Sequence, residues 1–250
     1  MGFYSLSGST KMSFAGLDVV QEKGGYRFSI DPVLLTDFAK VRSADTILDL
    51  GTGCAIIPLL LSRQSRGKKI FGIEVQPRMA DRARRNVDRN RYMDNIEIIE
   101  SDLRFHRQIF SPQSFDVVLT NPPYRQAESG RQAPNPERAG ARHELAGGLK
   151  DFLQAAAYCL GDGGRFYIVY LAERIADLLS QMRELRLEPK RLRCVHGRHG
   201  DPARMVLVEG RKGAGPGLHV EPPMFVFKEN GYSDEVLGIY GERKKTVQPP

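Results

Sequence analysis

Residues 121–124, Asn-Pro-Pro-Tyr, follow the apolar run FDVVLT, which has the composition of a buried strand. Neither proline has a backbone N–H to donate to a neighbouring strand, so the strand is expected to end here. The segment instead offers two hydrogen-bond acceptors, the side-chain oxygen of Asn121 and the carbonyl of Pro122, whose backbone is locked by its ring. Tyr124 adds an aromatic face. Two acceptors beside a ring suit a ligand that carries a planar amino group.

A glycine-rich turn lies earlier in the chain, in the sequence DLGTGCA at residues 49–55. Gly51 and Gly53, with Thr52 between them, permit a tight strand-to-helix turn and a close approach of a ligand to the backbone. Asp49 precedes the first glycine, and its carboxylate suits a ligand that carries a positive charge. This turn is the first part of a candidate ligand pocket. The alternative is a glycine turn that binds nothing.

Two further carboxylates stand at the ends of the next two predicted strands. Glu74 closes the run KIFGIE, where it could accept hydrogen bonds from a ribose diol. Asp102 and Leu103 follow the run IEIIE, and Asp102 could accept from the exocyclic amine of adenine. Because ligands bind at the carboxyl ends of parallel strands, the three acids predict a single nucleotide pocket.

Two nucleotide cofactors compete for this pocket. The dinucleotide pattern G-x-G-x-x-G needs a third glycine where this chain has Ile56, and a branched side chain does not permit the required close packing. No pyrophosphate is therefore implied. S-adenosylmethionine carries a sulfonium and an α-amino group, and both suit an acid at position 49. The residues favour S-adenosylmethionine.

Apolar strands and amphipathic helices alternate through most of the chain, and the strands are apolar on both faces. This pattern predicts an α/β fold with a mostly parallel, doubly wound sheet covered by helices on both faces. A short hairpin around Gly24 and Gly25, at residues 18–30, and a helix capped by Asp31 are predicted before the sheet. The predicted strands are 46–50, 69–74, 96–100, 115–120, 165–171, LRCVHG and RMVLVEGR; the predicted helices are 31–41, 55–64, 77–90, 149–160 and 173–187.

The ordered motifs LDLGTGCAIIPLLL, Glu74, SDL and NPPY resemble those of class I S-adenosylmethionine-dependent methyltransferases. The last motif is typical of the branch that methylates planar amino groups. The resemblance covers roughly residues 17 to 212. It implies a Rossmann-like, seven-stranded sheet and a cofactor held by the residues at the strand ends. These residues are Asp49, Gly51, Thr52, Gly53, Glu74, Asp102, Leu103 and Asn121.

Two positions qualify the resemblance. Ala55 stands where many members of the family carry a third glycine, and alanine is still small. The sequence RFSIDPVLL resembles an N-terminal motif that closes over the methionine end of the cofactor in related enzymes, which would bring Asp31 to the cofactor. The capping of a helix explains Asp31 equally well.

With the methyl donor in this pocket, the end of the fourth strand would present the acceptor. The Asn121 oxygen and the Pro122 carbonyl would accept the two hydrogens of an amino group and localise its lone pair, while Tyr124 would stack on an extruded base. No strong base is required, because the proton can leave after in-line transfer, and positioning and desolvation carry most of the rate. The alternative is a strand-terminating turn, which Asn-Pro dipeptides often form.

The chain is similar to the bacterial tRNA(Val) adenine-N6 methyltransferase family in its compact length and in the segments RF…D…LL and RMVLVEGRKG. The resemblance implies adenine N6 in tRNA as the acceptor. Three alternatives stay open: a glutamine amide of a release factor, the N2 of guanine in rRNA, and a non-catalytic RNA-binding protein that keeps the fold. Release-factor enzymes carry an N-terminal helical domain, for which a first sheet strand at Thr46 leaves no room. DNA modification is disfavoured, because the tail after residue 212 is too short for a target-recognition domain.

The charge of the chain points to a polyanionic partner. The net charge is +7, and residues 63–91 contain ten Arg and Lys against three acids, while residues 183–212 contain nine against four. Both segments favour nucleic acid, and tRNA in particular given the resemblance. The long polar segment 125–148 carries Arg138 and Arg142, which could reach phosphates.

The remaining features concern compartment, metals and domain limits. Cys54, Cys159 and Cys194 lie far apart and are odd in number, which fits a reducing cytoplasm. No apolar run is long enough to span a bilayer, so no membrane partner is expected. Cys194 lies near His196 and His199, but a metal site would need a further ligand beyond Asp201, so no metal is predicted.

We expect one catalytic domain at residues 17–212, a poorly ordered segment at 1–16, and a tail at 213–250 that packs on or extends the domain. The oligomeric state is left open by the sequence.

Overall fold

The computed structural model describes residues 9–14, 16–22, 30–123 and 147–240. Its strands are β1 (Ser9–Phe14), β2 (Leu17–Glu22), β3 (Thr46–Leu50), β4 (Lys69–Glu74), β5 (Ile96–Glu100), β6 (Phe115–Thr120), β7 (Leu160–Leu171), β8 (Leu187–His196), β9 (Ala203–Lys212), β10 (His219–Val220), β11 (Met224–Phe225), β12 (Phe227–Lys228) and β13 (Gly231–Tyr232). Its helices are α1 (Asp31–Phe38), α2 (Ile56–Arg63), α3 (Pro77–Arg89), α4 (His106–Ile109), α5 (Leu149–Cys159), α6 (Ile175–Glu184) and α7 (Asp234–Ile239).

Within these residues the main sheet has the order β10-β8-β9-β7-β6-β3-β4-β5, with β11 also paired to β8. Strands β3 to β7 run parallel to one another, and β9 lies antiparallel between β7 and β8. The seven long strands confirm the predicted seven-stranded, mostly parallel, Rossmann-like α/β sheet. The two-residue strands β10 and β11 extend its edge at β8. They belong to the tail at residues 213–250, which was expected to pack on or extend the domain.

The helices cover both faces of the sheet because successive strand residues point to opposite sides. On one face α1, α2 and α3 pack on a core that includes Ile47 and Val117. On the other face α4, α5 and α6 pack on a core that includes Leu48 and Val118. The strands are therefore buried on both sides, as their continuous apolar sequences predicted.

Four strands, β3 to β6, begin and end at the predicted residues. The strand β7 starts at Leu160 rather than at Arg165, because Leu160 pairs with Phe115 ahead of a register shift. The helix α1 ends at Phe38 instead of continuing to residue 41. There the Arg66 guanidinium donates hydrogen bonds to the carbonyls of Thr36 and Ala39, at 3.1 and 3.2 Å, which satisfies backbone groups that the helix leaves open.

An N-terminal hairpin is present at residues 9–22, ahead of the turn that the sequence predicted. The strand β2 pairs with the preceding strand β1, and Gly16 provides the turn with a φ of +74°. The prediction placed the turn at Gly24 and Gly25, which lie in residues 23–29, outside the described residues. Glycine pairs mark several kinds of turn, and a positive φ at a single glycine is sufficient to reverse a chain. Strand β1 also falls within the segment 1–16 that was expected to be poorly ordered.

In the part of the chain described here, none of the helices combines the length and the apolar composition needed to cross a membrane. Cys54, Cys159 and Cys194 are free thiols.

Candidate active site

The glycine turn after β3 is held close to the next strand of the sheet. The backbone N–H groups of Gly51 and Thr52 both donate to the Ile73 carbonyl, at 2.9 and 3.0 Å. Gly51 and Gly53 have φ angles of +73° and +58°, and a Cβ at Gly51 would approach the Phe152 ring to 3.2 Å. Both the backbone conformation and the packing at Gly51 therefore require glycine.

Ala55 ends this turn in a left-handed conformation, with φ 65° and ψ 32°, immediately before α2. A residue with a Cβ pays about 1–2 kcal/mol for this region. The family resemblance places glycine at this position in many members, and the backbone of this chain keeps the glycine conformation with an alanine. The side chain of Ala55 is fully buried.

Glu74 joins the end of β4 to the glycine turn. Its Oε2 accepts a hydrogen bond from the Gly53 N–H at 3.0 Å, and its Oε1 accepts from the Gln76 N–H at 2.9 Å. Burial raises the pKa of Glu74, while these backbone donors oppose the increase by favouring the charged form. Each carboxylate oxygen has a second lone pair that a ribose hydroxyl could use.

Asp49 is almost completely buried, with an exposed fraction of 1%. Within the described parts of the chain, neither carboxylate oxygen has a hydrogen-bond partner, and the Thr52 hydroxyl has none either. Burial raises the pKa of Asp49 to about 7, and the negative charge of Glu74 adds to the increase. The nearby Thr52 hydroxyl lowers the pKa in part, although its geometry is not that of an ordinary hydrogen bond. A buried carboxylate with open lone pairs fits a cationic ligand group.

Asp102 follows β5 and already has a partner. Its carboxylate forms a two-pronged ion pair with the Arg104 guanidinium, in which Nε donates at 3.0 and 2.8 Å, and it also accepts from the Arg104 N–H at 2.9 Å. The hydrogen bonds from Arg104 lower the pKa of Asp102. Leu103, the next residue, is buried at the start of a short 3-10 turn.

The end of β6 lies directly beside the glycine turn. Leu50 and Thr120 are paired in the sheet, and the Thr120 hydroxyl donates to the Leu50 carbonyl at 2.9 Å. Asn121 and Gly51 are the next residues after this pair, so they lie side by side at the ends of adjacent strands, which are about 4.8 Å apart. Asn121 is half-buried, Pro122 is buried and Pro123 is exposed. Tyr124 and most of the segment 125–148 lie outside the described residues.

Asp31 does not cap the first helix as the sequence suggested. It is the first residue of α1, and Ile30 occupies the capping position. The pair Asp31-Pro32 suits the first turn of a helix. An acid there interacts favourably with the positive end of the helix dipole, and the N–H that proline lacks would have no partner within the helix at this position. Asp31 is 5% exposed.

Sequence reasoning missed two asparagines that attach the N-terminal hairpin to α3. Asn86 accepts from the Val20 N–H at 2.9 Å, and its amide donates to the carbonyls of Val20 and Cys54 at 3.5 and 3.1 Å. Asn90 exchanges hydrogen bonds with the backbone of Asp18, both at 3.0 Å. The spacing of the two asparagines, one helical turn, was the available signal.

The histidines near Cys194 have other partners. His196 Nδ1 lies 2.7 Å from the Asp201 carbonyl, and the rings of His196 and His199 each lie 5.4 Å from the Phe225 ring. Across the described ranges no group of three or more His, Cys, Asp or Glu side chains could hold a metal ion.

The site thus brings Asp49, the glycine turn, Glu74 and Asn121 together at the carboxyl ends of adjacent parallel strands. Comparison with known proteins agrees with this arrangement. Residues 30–185 match the family described as "Methyltransferase small domain".

Two curated relatives are named tRNA1(Val) (adenine(37)-N6)-methyltransferase. The protein from Bacteroides thetaiotaomicron is 30% identical over 198 residues, which are 78% of this chain and 81% of the relative. The protein from Porphyromonas gingivalis is 31% identical over 201 residues, 78% of each chain. A crystal structure of a predicted O-methyltransferase from Agrobacterium tumefaciens shares the fold, with a TM-score of 0.67 at 20% identity over 85% of this chain and 96% of that one. The chain therefore belongs to the methyltransferase small domain family, and it is an S-adenosylmethionine-dependent methyltransferase.

Proposed function

We propose that the protein transfers a methyl group to the exocyclic N6 of adenine in tRNA. The observation that carries this proposal is the position of Asn121 and Pro122, which directly follow β6 at the level of the glycine turn. Curated relatives that match most of this chain are named for adenine-N6 methylation of tRNA1(Val). That tRNA is the first acceptor to test.

The proposed cofactor site uses residues at three adjacent strand ends. The buried carboxylate of Asp49, which has no hydrogen-bond partner among the described residues, supports a role in holding a cationic part of the cofactor. The glycines at positions 51 and 53, on either side of Thr52, would let a ligand approach the backbone closely, and Glu74 would hold the ribose. When bound, S-adenosylmethionine supplies an electrophilic methyl group.

Asp102 and Leu103 would form the adenine end of this site. Arg104 holds the Asp102 carboxylate in a fixed orientation, and a carboxylate has about four lone-pair positions, so it could accept from an adenine amine as well. At the opposite end of the cofactor site we place Asp31, whose acidic side chain is buried at the start of α1.

The acceptor amino group would be held by the end of β6. The Asn121 side-chain oxygen and the Pro122 carbonyl would each accept one amino hydrogen, which localises the nitrogen lone pair and directs it towards the donor. Tyr124 would stack on the extruded base. The proton would leave after transfer, so we assign no general base.

The test is to incubate the protein with labelled S-adenosylmethionine and purified tRNA1(Val), bulk rRNA, DNA or protein, followed by nucleoside analysis. We expect N6-methyladenosine in tRNA. Label in N2-methylguanosine of rRNA, or label confined to protein, would contradict the proposal and identify the alternative acceptor. A cytoplasmic location is part of this proposal, and the separated cysteines and a tRNA substrate support it.

A further inference from the structure

Three of the seven arginines in residues 183–212, a segment that the structure describes in full, form ion pairs with carboxylates, so the number of arginines does not by itself define a binding surface. The ion pairs have N–O distances between 2.6 and 3.2 Å. They are Arg183–Glu188, Arg191–Glu209, Arg191–Glu221 and Arg193–Glu235.

Arg186, Arg198, Arg204 and Arg211 are not among these pairs, and of these four Arg198 and Arg204 lie at the end of β8 and β9 that faces the candidate active site. Both are exposed, and neither forms an ion pair with any residue that the structure describes. Arg198 follows the end of β8, and Arg204 lies at the start of β9. The neighbouring Asp201 carboxylate accepts the backbone N–H of Arg198 at 2.9 Å but, within the described residues, forms no ion pair with either guanidinium, so both guanidinium groups keep N–H donors for a partner from outside.

Both arginines lie at the same edge of the sheet as the candidate active site. The strand β8 runs in the same direction as β6, because both β7 and β8 are antiparallel to β9 while β7 is parallel to β6. Thr120 pairs with Ile168 on β7, which pairs with Val208 on β9, which pairs with Leu192 on β8. Thr120 and Leu192 therefore lie at the same level of the sheet. Three strand spacings separate β6 from β8, so Arg198 lies on the order of 15–20 Å from Asn121.

The guanidinium of Arg198 is held in place by its neighbours. Its Nη1 donates to the Lys228 carbonyl at 2.7 Å, and its Cζ lies 5.7 Å from the centre of the Phe227 ring. Phe227 stacks on Tyr232, with ring centres 5.3 Å apart, and Tyr232 stacks on Tyr240 at 5.6 Å. This support leaves further N–H groups for a ligand and reduces the entropy that the side chain would lose on binding.

The rings beside Arg198 are themselves exposed. Phe227 is 41% and Tyr232 is 39% exposed, and His199 is exposed next to Arg198. An unpaired, rigid arginine beside exposed rings fits the phosphates and bases of RNA, since arginine binds phosphate through paired N–H donors and aromatic rings contact unstacked bases. Lys228 pairs with Asp234 and adds no net charge.

We propose that the Arg198 surface, formed by Arg198, His199, Arg204, Phe227 and Tyr232, binds the sugar–phosphate backbone of the acceptor RNA away from the reacting adenine. This inference rests on the proposed function, because it assigns a second contact to the same substrate. Arg198 and Arg204 are positioning residues that anchor the RNA so that the target nucleotide reaches the end of β6.

The test measures the Kd of tRNA1(Val) for the full-length protein in the presence of S-adenosylhomocysteine, at several salt concentrations. The double variant Arg198→Gln/Arg204→Gln is expected to bind about tenfold more weakly, and its slope of log K against log salt should be smaller by about two. Its KM for tRNA should rise while kcat at saturating tRNA stays near the parent value.

The matched control is the double variant Arg186→Gln/Arg211→Gln, which removes the same charge at the opposite edge of the sheet. Both arginines are exposed, and neither forms an ion pair with a residue that the structure describes. We expect no change in the Kd or in the salt slope. The melting temperature and the affinity for S-adenosylmethionine should be the same in all variants, which checks the fold. Photocrosslinking of the parent protein to tRNA that contains 4-thiouridine gives an independent readout, with crosslinks expected at Phe227 or Tyr232.

The outcomes separate this inference from the proposed function. If the parent methylates tRNA and the double variant keeps the parent Kd and salt slope, the Arg198 surface is not an RNA site. If the parent fails to methylate tRNA but binds it through Arg198 and Arg204, only the proposed function is wrong. If the parent neither methylates nor binds tRNA, both are overturned.

Discussion

The Gly53 N–H donates to the Glu74 carboxylate over 3.0 Å, and this bond joins the ends of two adjacent strands at the candidate cofactor site. A glycine whose positive φ disfavours a side chain is thereby held by the acid expected to bind the ribose. The same carboxylate accepts from Gln76 on its other oxygen, so Glu74 orders the turn before α3 as well. Its structural role and its proposed binding role depend on the same negative charge.

Replacement of Glu74 by glutamine should weaken both roles. One of the two backbone donors, the N–H of Gly53 or Gln76, would face an amide NH₂ group instead of an acceptor, and a buried unpaired donor costs about 1–3 kcal/mol. We expect about tenfold weaker binding of S-adenosylmethionine by calorimetry. The control is Glu97→Gln on β5, an exposed acid whose partner is Lys69 at 3.7 Å. Equal affinities of the two variants would contradict the assignment of Glu74.

Asp49 should make the ligand-free protein sensitive to pH. Its pKa is about 7 in the folded protein, above the ordinary value of 3.8, so the folded state favours the protonated form. The contribution of Asp49 to the free energy of unfolding is therefore fully present below about pH 4, and it is lost as the pH rises through about 7. The melting temperature of Asp49→Asn relative to the parent should therefore increase over this range and level off above it. A difference that does not vary with pH would exclude a raised pKa at Asp49.

The same residue gives a prediction for ligand binding with the opposite sign. Because the ionised carboxylate would attract a cationic group, the affinity of the parent for S-adenosylmethionine should increase as the pH rises through about 7. Asp49→Asn should bind more weakly, with little pH dependence. Calorimetric titrations between about pH 6 and pH 8 test this, and identical pH profiles for parent and variant would remove Asp49 from the cofactor site.

Asn121→Ala tests the proposed acceptor geometry. The variant removes one of the two acceptors for the amino hydrogens, and misplacement of a reacting group can cost about 10²-fold in rate. We expect kcat to fall by about that factor in single-turnover methylation of tRNA. Binding of tRNA should be unchanged, since Asn121 lies far from the Arg198 surface. A variant that methylates at the parent rate would refute the proposed role of Asn121.

The strands and the strand-end residues could be predicted because the signals are local. Strands such as β3 and β6 are apolar runs that end at residues unable to continue a sheet, Gly51 and Pro122, and the order of the motifs placed their ends together. The partners of these residues were less predictable. Arg104 is only two residues from Asp102, yet an ion pair between neighbours depends on the conformation of the 3-10 turn, which the sequence did not indicate.

Contacts between distant segments were missed for a different reason. Asn86 and Asn90 bind a strand more than sixty residues away in sequence, and helix-interior asparagines on a charged helix look like ordinary surface residues. The hairpin at residues 9–22 was missed for a related reason, since a single glycine at its turn is a weak local signal and its hydrogen bonds are made to α3, far away in sequence.

Asn86 is expected to be important for stability. It is completely buried, and Asn86→Ala would leave the Val20 N–H and the Cys54 carbonyl without a partner inside the protein. Unsatisfied buried groups cost about 1–3 kcal/mol each, which corresponds to a decrease in melting temperature of several degrees for a chain of this size. Amide exchange in β2 should become faster than in β3. The control is Asp88→Ala, an exposed residue of the same helix, for which the melting temperature should change little. If the melting temperature of Asn86→Ala equals that of Asp88→Ala, the asparagine does not hold the hairpin on α3. Packing of the apolar side chains Leu17 and Val19 would then hold it.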